Sequence, residues 1–366
     1  MIPFLPPGPP LFVGEAVEGP LGRCEEIRTA LELGATYGAG AEESELVKAV
    51  ALCLTNGGAP ALVLRVAAPL SGGPPGVADY LAAFETLARE GPRFGLLVLP
   101  RGSVAAPAPA VLYAAASQLC RERRAILLLE PPPEWTDVEA AVAGLPALTQ
   151  DLVVENAALF VPRLLLSAAL GAGAVGPAGA VAGLLAHNDR KRGVWKAPAG
   201  TDAVLSGATG PAMQIDQRAN EQLSRLGIDA IRQFRSDLHL WGTRTLAGAD
   251  AADGEWKYIP VRRLALAIED SLEQGLQWAV FEPNHQPLWE AVRLSVGDLL
   301  HGLFVQGAFA GNAERDAWYV RCGHGTTMTD DDIAAGNLNV EIGIAPVRPA
   351  EFIVLRFGTK VAGSTV

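Results

Sequence analysis

The sequence predicts a two-domain protein, an α/β domain followed by an α+β domain, with extended segments at both termini. Apolar strands alternate with helices between residues 57 and 145, which is the pattern of a mostly parallel sheet covered by helices. Beyond residue 260 the pattern changes to long helices followed by short strands. The length of 366 residues suits two or three domains.

The first half is predicted to begin with an extended, Pro-rich stretch over residues 1–10 and a short strand over Leu11–Gly14. Apolar residues at helical spacing predict the helices, and short apolar runs predict the strands. Gly57 and Gly58 end the first helix because glycine accepts the left-handed conformation of a helix C-cap. The predicted helices are Glu43–Asn56, Val77–Glu90 and Ala110–Arg121, and the predicted strands are Ala61–Val66, Gly95–Pro100 and Ala125–Glu130.

The second half is predicted to contain two long helices, Val261–Phe281 and Leu288–Val305, and Pro287 suits the first turn of the latter. Thr329 followed by three aspartates predicts a capped helix start, because acidic side chains in a first turn are favoured by the helix dipole. The remaining predicted strands are Trp318–Cys322, Leu338–Ile344 and Glu351–Phe357.

Composition narrows the class of protein. A net charge of -11 argues against general nucleic-acid binding. Residues 187–263 are locally basic, with 12 basic and 9 acidic side chains, which indicates either an acidic partner or ion pairs inside the fold. No long apolar stretch lacks Gly or Pro, so no membrane insertion is expected, and the Pro-rich N-terminus does not resemble a signal peptide. The four scattered cysteines are expected to be buried free thiols.

No catalytic, cofactor or metal site is predicted. The stretch Gly171–Gly176 fits GxGxxG with Asp189 downstream, which leaves an NAD-dependent oxidoreductase as an alternative. This motif is isolated in an Ala/Gly-rich region and is followed directly by Pro177. The five histidines lack metal-site spacing, and Asp330–Asp332 lacks the DxDxDG pattern of a calcium loop.

Several blocks in the second half occur in the order typical of one family. They are Gly176–Gly183, Arg192–Gly200, Leu226–Phe234, Leu240–Thr245, Trp256–Leu264 and Glu341–Val354. In the first half, Leu11–Pro20 and Asn56–Gly58 match more loosely. With these blocks the chain resembles the contractile phage tail sheath family, which includes pyocin-like particles and extracellular contractile injection systems.

The resemblance implies a tail-sheath-like fold with four parts. These are a short N-terminal arm (1–10), an outer α/β domain (11–165), an inner α+β sheath domain (166–350) and a C-terminal strand or arm (351–366). Family members usually carry a longer arm before the equivalent of Leu11 that adds a strand to a neighbouring subunit. The ten residues here therefore leave open a non-contracting adaptor or cap at one end of the tube.

The resemblance also implies a function without catalysis. Subunits would stack as six-fold rings around an inner tube and contract to drive the tube into a target. The implied partners are other copies of the chain, the inner tube protein, and baseplate and terminal cap proteins. Assembly is expected in the cytoplasm, and the product would be a virion tail or phage-like particle.

Two sets of residues are candidates for assembly contacts. The closing strand is rich in β-forming side chains, which suits strand addition to a neighbour's sheet. It could equally complete its own domain's sheet, with the tail Gly358–Val366 as the exchanging segment. The exchange candidates are Phe352, Ile353, Val354 and Leu355. Charged residues in and before the first long helix are candidates for weak, reversible ion pairs with the tube: Lys257, Arg262, Arg263, Glu269, Asp270 and Glu273.

Overall fold

The computed structural model describes residues 2–38, 44–66, 75–100, 109–171, 173–250, 254–347 and 353–361. The chain forms two compact units. The large unit comprises Pro7–Arg263, and the small unit combines Met1–Pro6 with Leu264–Val366.

The large unit is built on a mixed sheet. Its strands are β1 (Pro10–Gly14), β2 (Cys24–Ile27), β3 (Ala61–Arg65), β4 (Leu96–Val98), β5 (Ile126–Leu129), β6 (Ala157–Val161), β7 (Leu164–Leu166), β8 (Ala174–Val175), β9 (Val204–Leu205), β10 (Ala208–Pro211), β11 (Ile228–Phe234) and β12 (Asp237–Leu240). Within the described residues, nine of these strands form one sheet in the order β2-β3-β1-β4-β5-β6-β11-β12-β9. Its centre, from β3 to β11, is parallel.

Helices cover both faces of this sheet. They are α1 (Ala30–Tyr37), α2 (Glu45–Thr55), α3 (Val77–Glu90), α4 (Pro109–Glu122), α5 (Val138–Leu148), α6 (Ala178–Arg192) and α7 (Gln217–Arg225), with short 3-10 turns at Val154–Asn156, Ala168–Leu170 and Leu246–Gly248. One hydrophobic core joins α3, α4, α5 and α7 to strand residues such as Leu127 and Leu129. The alternate strand residues, such as Ile126 and Leu128, are buried and point to the opposite face, where α2 and α6 pack.

The small unit contains four helices and a separate sheet within the described residues. The helix α8 (Ile259–Gly275) enters it at Leu264, a 3-10 turn follows at Gln277–Phe281, and the other helices are α9 (Gln286–Val305), α10 (Glu314–Ala317) and α11 (Asp330–Ala334). The strands β13 (Trp318–Arg321), β14 (Asn337–Ile344) and β15 (Ile353–Lys360) form an antiparallel sheet in that order. Val292, Val296 and Leu300 line the buried side of α9.

The predicted fold class is confirmed, and the alternating strands and helices of the first half lie within a few residues of their predicted bounds. The Thr329 cap is also confirmed, because Thr329 and Asp332 form a reciprocal capping box. The first long helix ends earlier than predicted, at Gly275, where Ile2 occupies the space that a side chain would need.

The compact units divide the chain at 263/264. The reason is the pairing of β6 with β11, which places residues 157–161 and 228–230 in one sheet. The assignment of outer and inner domains remains a prediction.

Candidate assembly surfaces

The predicted exchange segment lies at the edge of the sheet of the small unit. Strand β15 pairs with β14 of its own chain over eight residues, with Ile353 opposite Ile344 and Val354 opposite Gly343. Leu355 is buried opposite Ile342, and Phe352 lies outside the described residues. The closing strand therefore completes its own sheet here, and its exchange with another subunit remains a prediction.

The exposed face of this sheet carries a row of charges. Glu341 lies opposite Arg321 on one side and Arg356 on the other. Its carboxylate is 3.2 Å from Arg321 Nη1 and 3.9 Å from Arg356 Nε. These ion pairs are individually weak, on the order of 0–1 kcal/mol each, because both arginine side chains are exposed to solvent.

Tyr319 crosses the same face and packs on Gly343, whose missing side chain makes room for the ring. Its hydroxyl donates to Glu341 Oε1 at 3.3 Å, and the Arg321 guanidinium lies 4.8 Å from the ring centroid. Desolvation and the neighbouring Glu341 carboxylate raise the pKa of Tyr319. Sequence reasoning missed this cluster, because the pairing of Tyr319 with Gly343 depends on the strand register.

Two of the six predicted tube-contact residues are buried within the large unit. Arg263 is 3% exposed and donates to both carboxylate oxygens of Asp189, at 2.9 and 2.5 Å. Arg262 is 9% exposed, donates to Asn156 Oδ1 at 2.8 Å and lies over the Trp256 ring. These two arginines therefore do not supply the exposed charge that the prediction requires.

The other four candidates retain some exposure. Lys257 Nζ is 3.3 Å from Asp250 Oδ1 within the large unit. In the small unit, Glu269 and Asp270 are half-buried on α8, whereas Glu273 is exposed. Contact of these four residues with a tube remains a prediction.

The comparisons with known proteins decide the family. A model of the phage tail sheath C-terminal domain matches residues 251–360. A chain in the 6-fold symmetrised baseplate of the anti-feeding prophage is 30% identical over 97% of this chain and 93% of that chain, with a TM-score of 0.76. The chain belongs to the contractile tail sheath family.

Two further structures of this family are similar over almost the whole chain. The anti-feeding prophage helical sheath in its contracted state is 29% identical, with 97% of this chain and 94% of that chain covered and a TM-score of 0.76. The sheath complex of PVC, an extracellular contractile injection system, in its contracted state is 27% identical, with 97% and 92% covered and a TM-score of 0.75. A search of characterised proteins found no match.

The GxGxxG stretch has a structural role in this sheath-family chain. Ala174 and Val175 pair antiparallel with β7 in a separate sheet with β10, whereas a dinucleotide motif needs a parallel strand before its helix. Gly176 packs directly against the Glu130 carboxyl group, which leaves no room for a pyrophosphate beside that glycine. The NAD-dependent alternative therefore has no support from the fold.

A buried ion pair holds the same loop. Arg163 Nη2 lies 3.2 Å from Glu45 Oε2 and also donates to the Ala174 carbonyl at 2.9 Å. Burial raises the pKa of Glu45, and the Arg163 guanidinium opposes that rise. Arg163 thus holds the loop that precedes α6 through the Ala174 carbonyl.

The four cysteines are free thiols. Three cysteines are buried free thiols as predicted, whereas Cys24 is half-buried and also unpaired. Burial raises the pKa of Cys24 to about 11, so its thiol is protonated at neutral pH.

Among the residues that the structure describes, no group of His, Cys, Asp or Glu is arranged to hold a metal ion, and no helix is long and apolar enough to span a membrane.

Proposed function

We propose that this chain is the sheath subunit of a contractile injection apparatus. Copies stack as six-fold rings around an inner tube, and the sheath shortens on triggering to drive the tube into a target. The proposal rests on the 30% identity to a contractile-system chain over nearly the whole length of both. No chemical step is required, because the energy is stored during assembly.

The proposal assigns the chain a set of partners. They are other copies of the chain, an inner tube protein, and baseplate and terminal cap proteins. The subunits assemble in the cytoplasm, and the finished particle is a virion tail or a phage-like particle. The observation that supports a phage-like particle is the likeness to an extracellular contractile injection system.

Strand addition is the proposed link between subunits. A backbone hydrogen bond contributes a net free energy of roughly 0.5–1.5 kcal/mol, so a strand with about five such bonds contributes roughly 3–7 kcal/mol at each junction. Strand β15 is an edge of its sheet within the described residues, so it offers backbone groups to another strand or can exchange as a whole.

A second candidate is a non-contracting adaptor or cap at one end of the tube. It is favoured by one observation, the likeness to a chain in a baseplate structure. Both candidates use the same fold. They differ in whether further rings of the chain add to the first ring along the tube.

Negative-stain electron microscopy of the purified chain, alone and with its tube protein, tests the proposal. Striated hollow cylinders are expected for a propagating sheath. Single rings that form only on a preformed baseplate would instead identify the adaptor. Uniform small particles with tube and baseplate proteins both present would contradict both candidates.

A further inference from the structure

A cluster of basic side chains is exposed where α6 ends. Arg190, Lys191 and Arg192 form its last turn, and Lys196, which is half-buried, follows in the next turn. The turn is held in place because Asn188 Nδ2 donates to the Lys196 carbonyl at 2.7 Å. We term the three exposed side chains the basic surface: Arg190, Lys191 and Arg192.

The fold uses only part of this charge. Arg190 donates to the Gly57 carbonyl at the end of α2. The nearby Asp189 is engaged by Arg263. Across the described ranges of the chain, the side chains of Lys191 and Arg192 make neither a hydrogen bond nor an ion pair. Cations in a last turn interact favourably with the helix dipole, which accounts for the residue type without accounting for the number of cations in the cluster.

The opposite charge is concentrated in another part of the large unit. Residues 125–162 contain six acidic side chains and no Lys or Arg. One of them, Glu130, is buried, and Asp151 and Glu155 follow the far end of α5. The other three are exposed at the start of α5, and we term them the acidic surface: Glu134, Asp137 and Glu139.

The two surfaces lie on opposite faces of the nine-stranded sheet. Helix α5 belongs to the core formed with α3, α4 and α7, whereas α6 packs with α2 on the other face. The sheet therefore prevents the basic surface from reaching the acidic surface of the same chain. A complementary contact requires a second molecule.

We infer that the basic surface docks onto the acidic surface of a second copy of this chain. Because the two surfaces differ, the contact is heterologous, and heterologous contacts generate rings or helical filaments. Copies with a net charge of -11 repel one another, and a basic surface that meets an acidic one offsets that repulsion and sets the orientation of approach. The inference rests on the proposed polymer and names one of its contacts.

Charge reversal tests the contact. The double variant K191E/R192E and the double variant E134K/E139K should each raise the critical concentration for polymerisation about tenfold. A chain that carries all four substitutions should return to near the wild-type value, because both surfaces have exchanged sign. Thermal melting of each variant checks that it is folded.

Arg89→Glu is the matched control, because Arg89 is an exposed cation in the last turn of α3. This variant also replaces a cation at a helix end by an anion, but at a position outside both the basic and the acidic surface. It should therefore leave polymerisation unchanged. Wild-type assembly by folded K191E/R192E, or failure of the fourfold variant to recover, would overturn the inference while leaving the sheath function intact.

A second measurement does not need polymers. The K191E/R192E chain presents two acidic surfaces, and the E134K/E139K chain presents two basic ones. Sedimentation of their mixture at low salt should show a complex that neither variant forms alone and that dissociates as salt is added. Absence of that complex would also contradict the inference, whatever the outcome of microscopy on the wild-type chain.

Discussion

Asp229 shows how a single buried charge acts in this fold. It lies on β11 and is 2% exposed, and both of its oxygens are 2.9 Å from the backbone nitrogen of Arg244. It also fills the space beside Gly242, so it fixes the turn that follows β12. Burial raises the pKa of Asp229 well above 3.8, while the Arg244 amide and charge oppose that rise only in part.

The raised pKa predicts how stability depends on pH. Below pH 3.8 the side chain is protonated in both the folded and unfolded states. As the pH rises toward the folded-state pKa, only the unfolded state releases the proton, so the free energy of unfolding falls. Asp229→Asn keeps an acceptor for the Arg244 amide, so it should be more stable than wild type near pH 7, on the order of 1–3 kcal/mol.

Urea unfolding at several pH values measures this difference. The gain from Asp229→Asn should shrink steadily toward pH 4, where the two proteins converge. Asp237→Asn, at an exposed position of the same hairpin, is the control and should change little at any pH. A gain that stayed constant with pH would rule out ionisation of Asp229 as its cause.

The two buried arginines illustrate the limit of assigning a role from residue type. Arg262 and Arg263 occur in a sequence that suits an exposed basic surface, but Asn156 and Asp189 bind them inside the large unit. Removal of one partner from a buried ion pair usually costs about 3–5 kcal/mol of stability. Their substitution would therefore report on folding before it reported on tube contact.

At the scale of elements, the contact between α2 and α6 depends on two glycines. Gly179 and Gly183 are one turn apart on α6, and their missing side chains admit the backbone of α2 at Ala49 and Cys53. The close approach explains why this Ala/Gly-rich stretch is helical although glycine disfavours helices. The gain from packing two helices at short distance exceeds the local cost of about 1 kcal/mol per glycine.

Gly183→Ala should destabilise the protein by about 1–3 kcal/mol, because the new methyl group would overlap the Cys53 carbonyl. Gly302→Ala provides the contrast, since Gly302 lies in α9 with no atom within 4 Å of the added methyl group. It should stabilise the protein by about 0.5–1 kcal/mol. Chemical denaturation distinguishes the two, and equal effects would mean that the α2–α6 contact is not tight.

Strand β15 is the element on which the proposed link depends. Val354→Pro removes one backbone donor near the start of the strand, while six residues of the ladder with β14 remain beyond it. We expect polymers to disappear and a folded monomer to remain, as judged by sedimentation and circular dichroism. Val354→Thr keeps the donor and should polymerise normally; polymers of Val354→Pro would place the link in another segment.

For the whole molecule, the small unit is discontinuous in sequence. Its N-terminal segment, Ile2–Pro6, packs on α8. Ile2 is 3% exposed and lies beside Gly275. The Leu5 amide donates to Ser271 Oγ at 2.9 Å. Residues about 270 positions apart are therefore part of one core. The N-terminal segment that the sequence predicts as an arm contributes here to the stability of its own chain.

Ile2→Ala should lower the free energy of unfolding of the small unit by about 2–4 kcal/mol, because it removes a buried side chain from that core. Calorimetry should show a lower transition temperature for one unit and little change for the other. Leu294→Ala, at a position 70% exposed on α9, should shift neither transition. A uniform shift of the whole unfolding curve would mean that the two units unfold together.

The sequence by itself determined the elements that depend on local patterns. Apolar periodicity located α2, α3, α4 and α9, the run of aspartates after Thr329 marked a helix start, and the ordered blocks of the second half indicated the sheath family. These signals are local because each depends on residues within a few turns of one another. They are sufficient for fold class and family.

Only the tertiary structure decided which residues are available for contact. The pairing of β6 with β11 placed residues 157–161 and 228–230 in one sheet, the register of β13 and β14 brought Tyr319 onto Gly343, and the ion pair with Asp189 holds Arg263 in a buried position. The same sheet separates the acidic surface from the basic one. Each of these depends on partners distant in sequence, and exposure, which controls whether a charge can bind another molecule, is set by those partners.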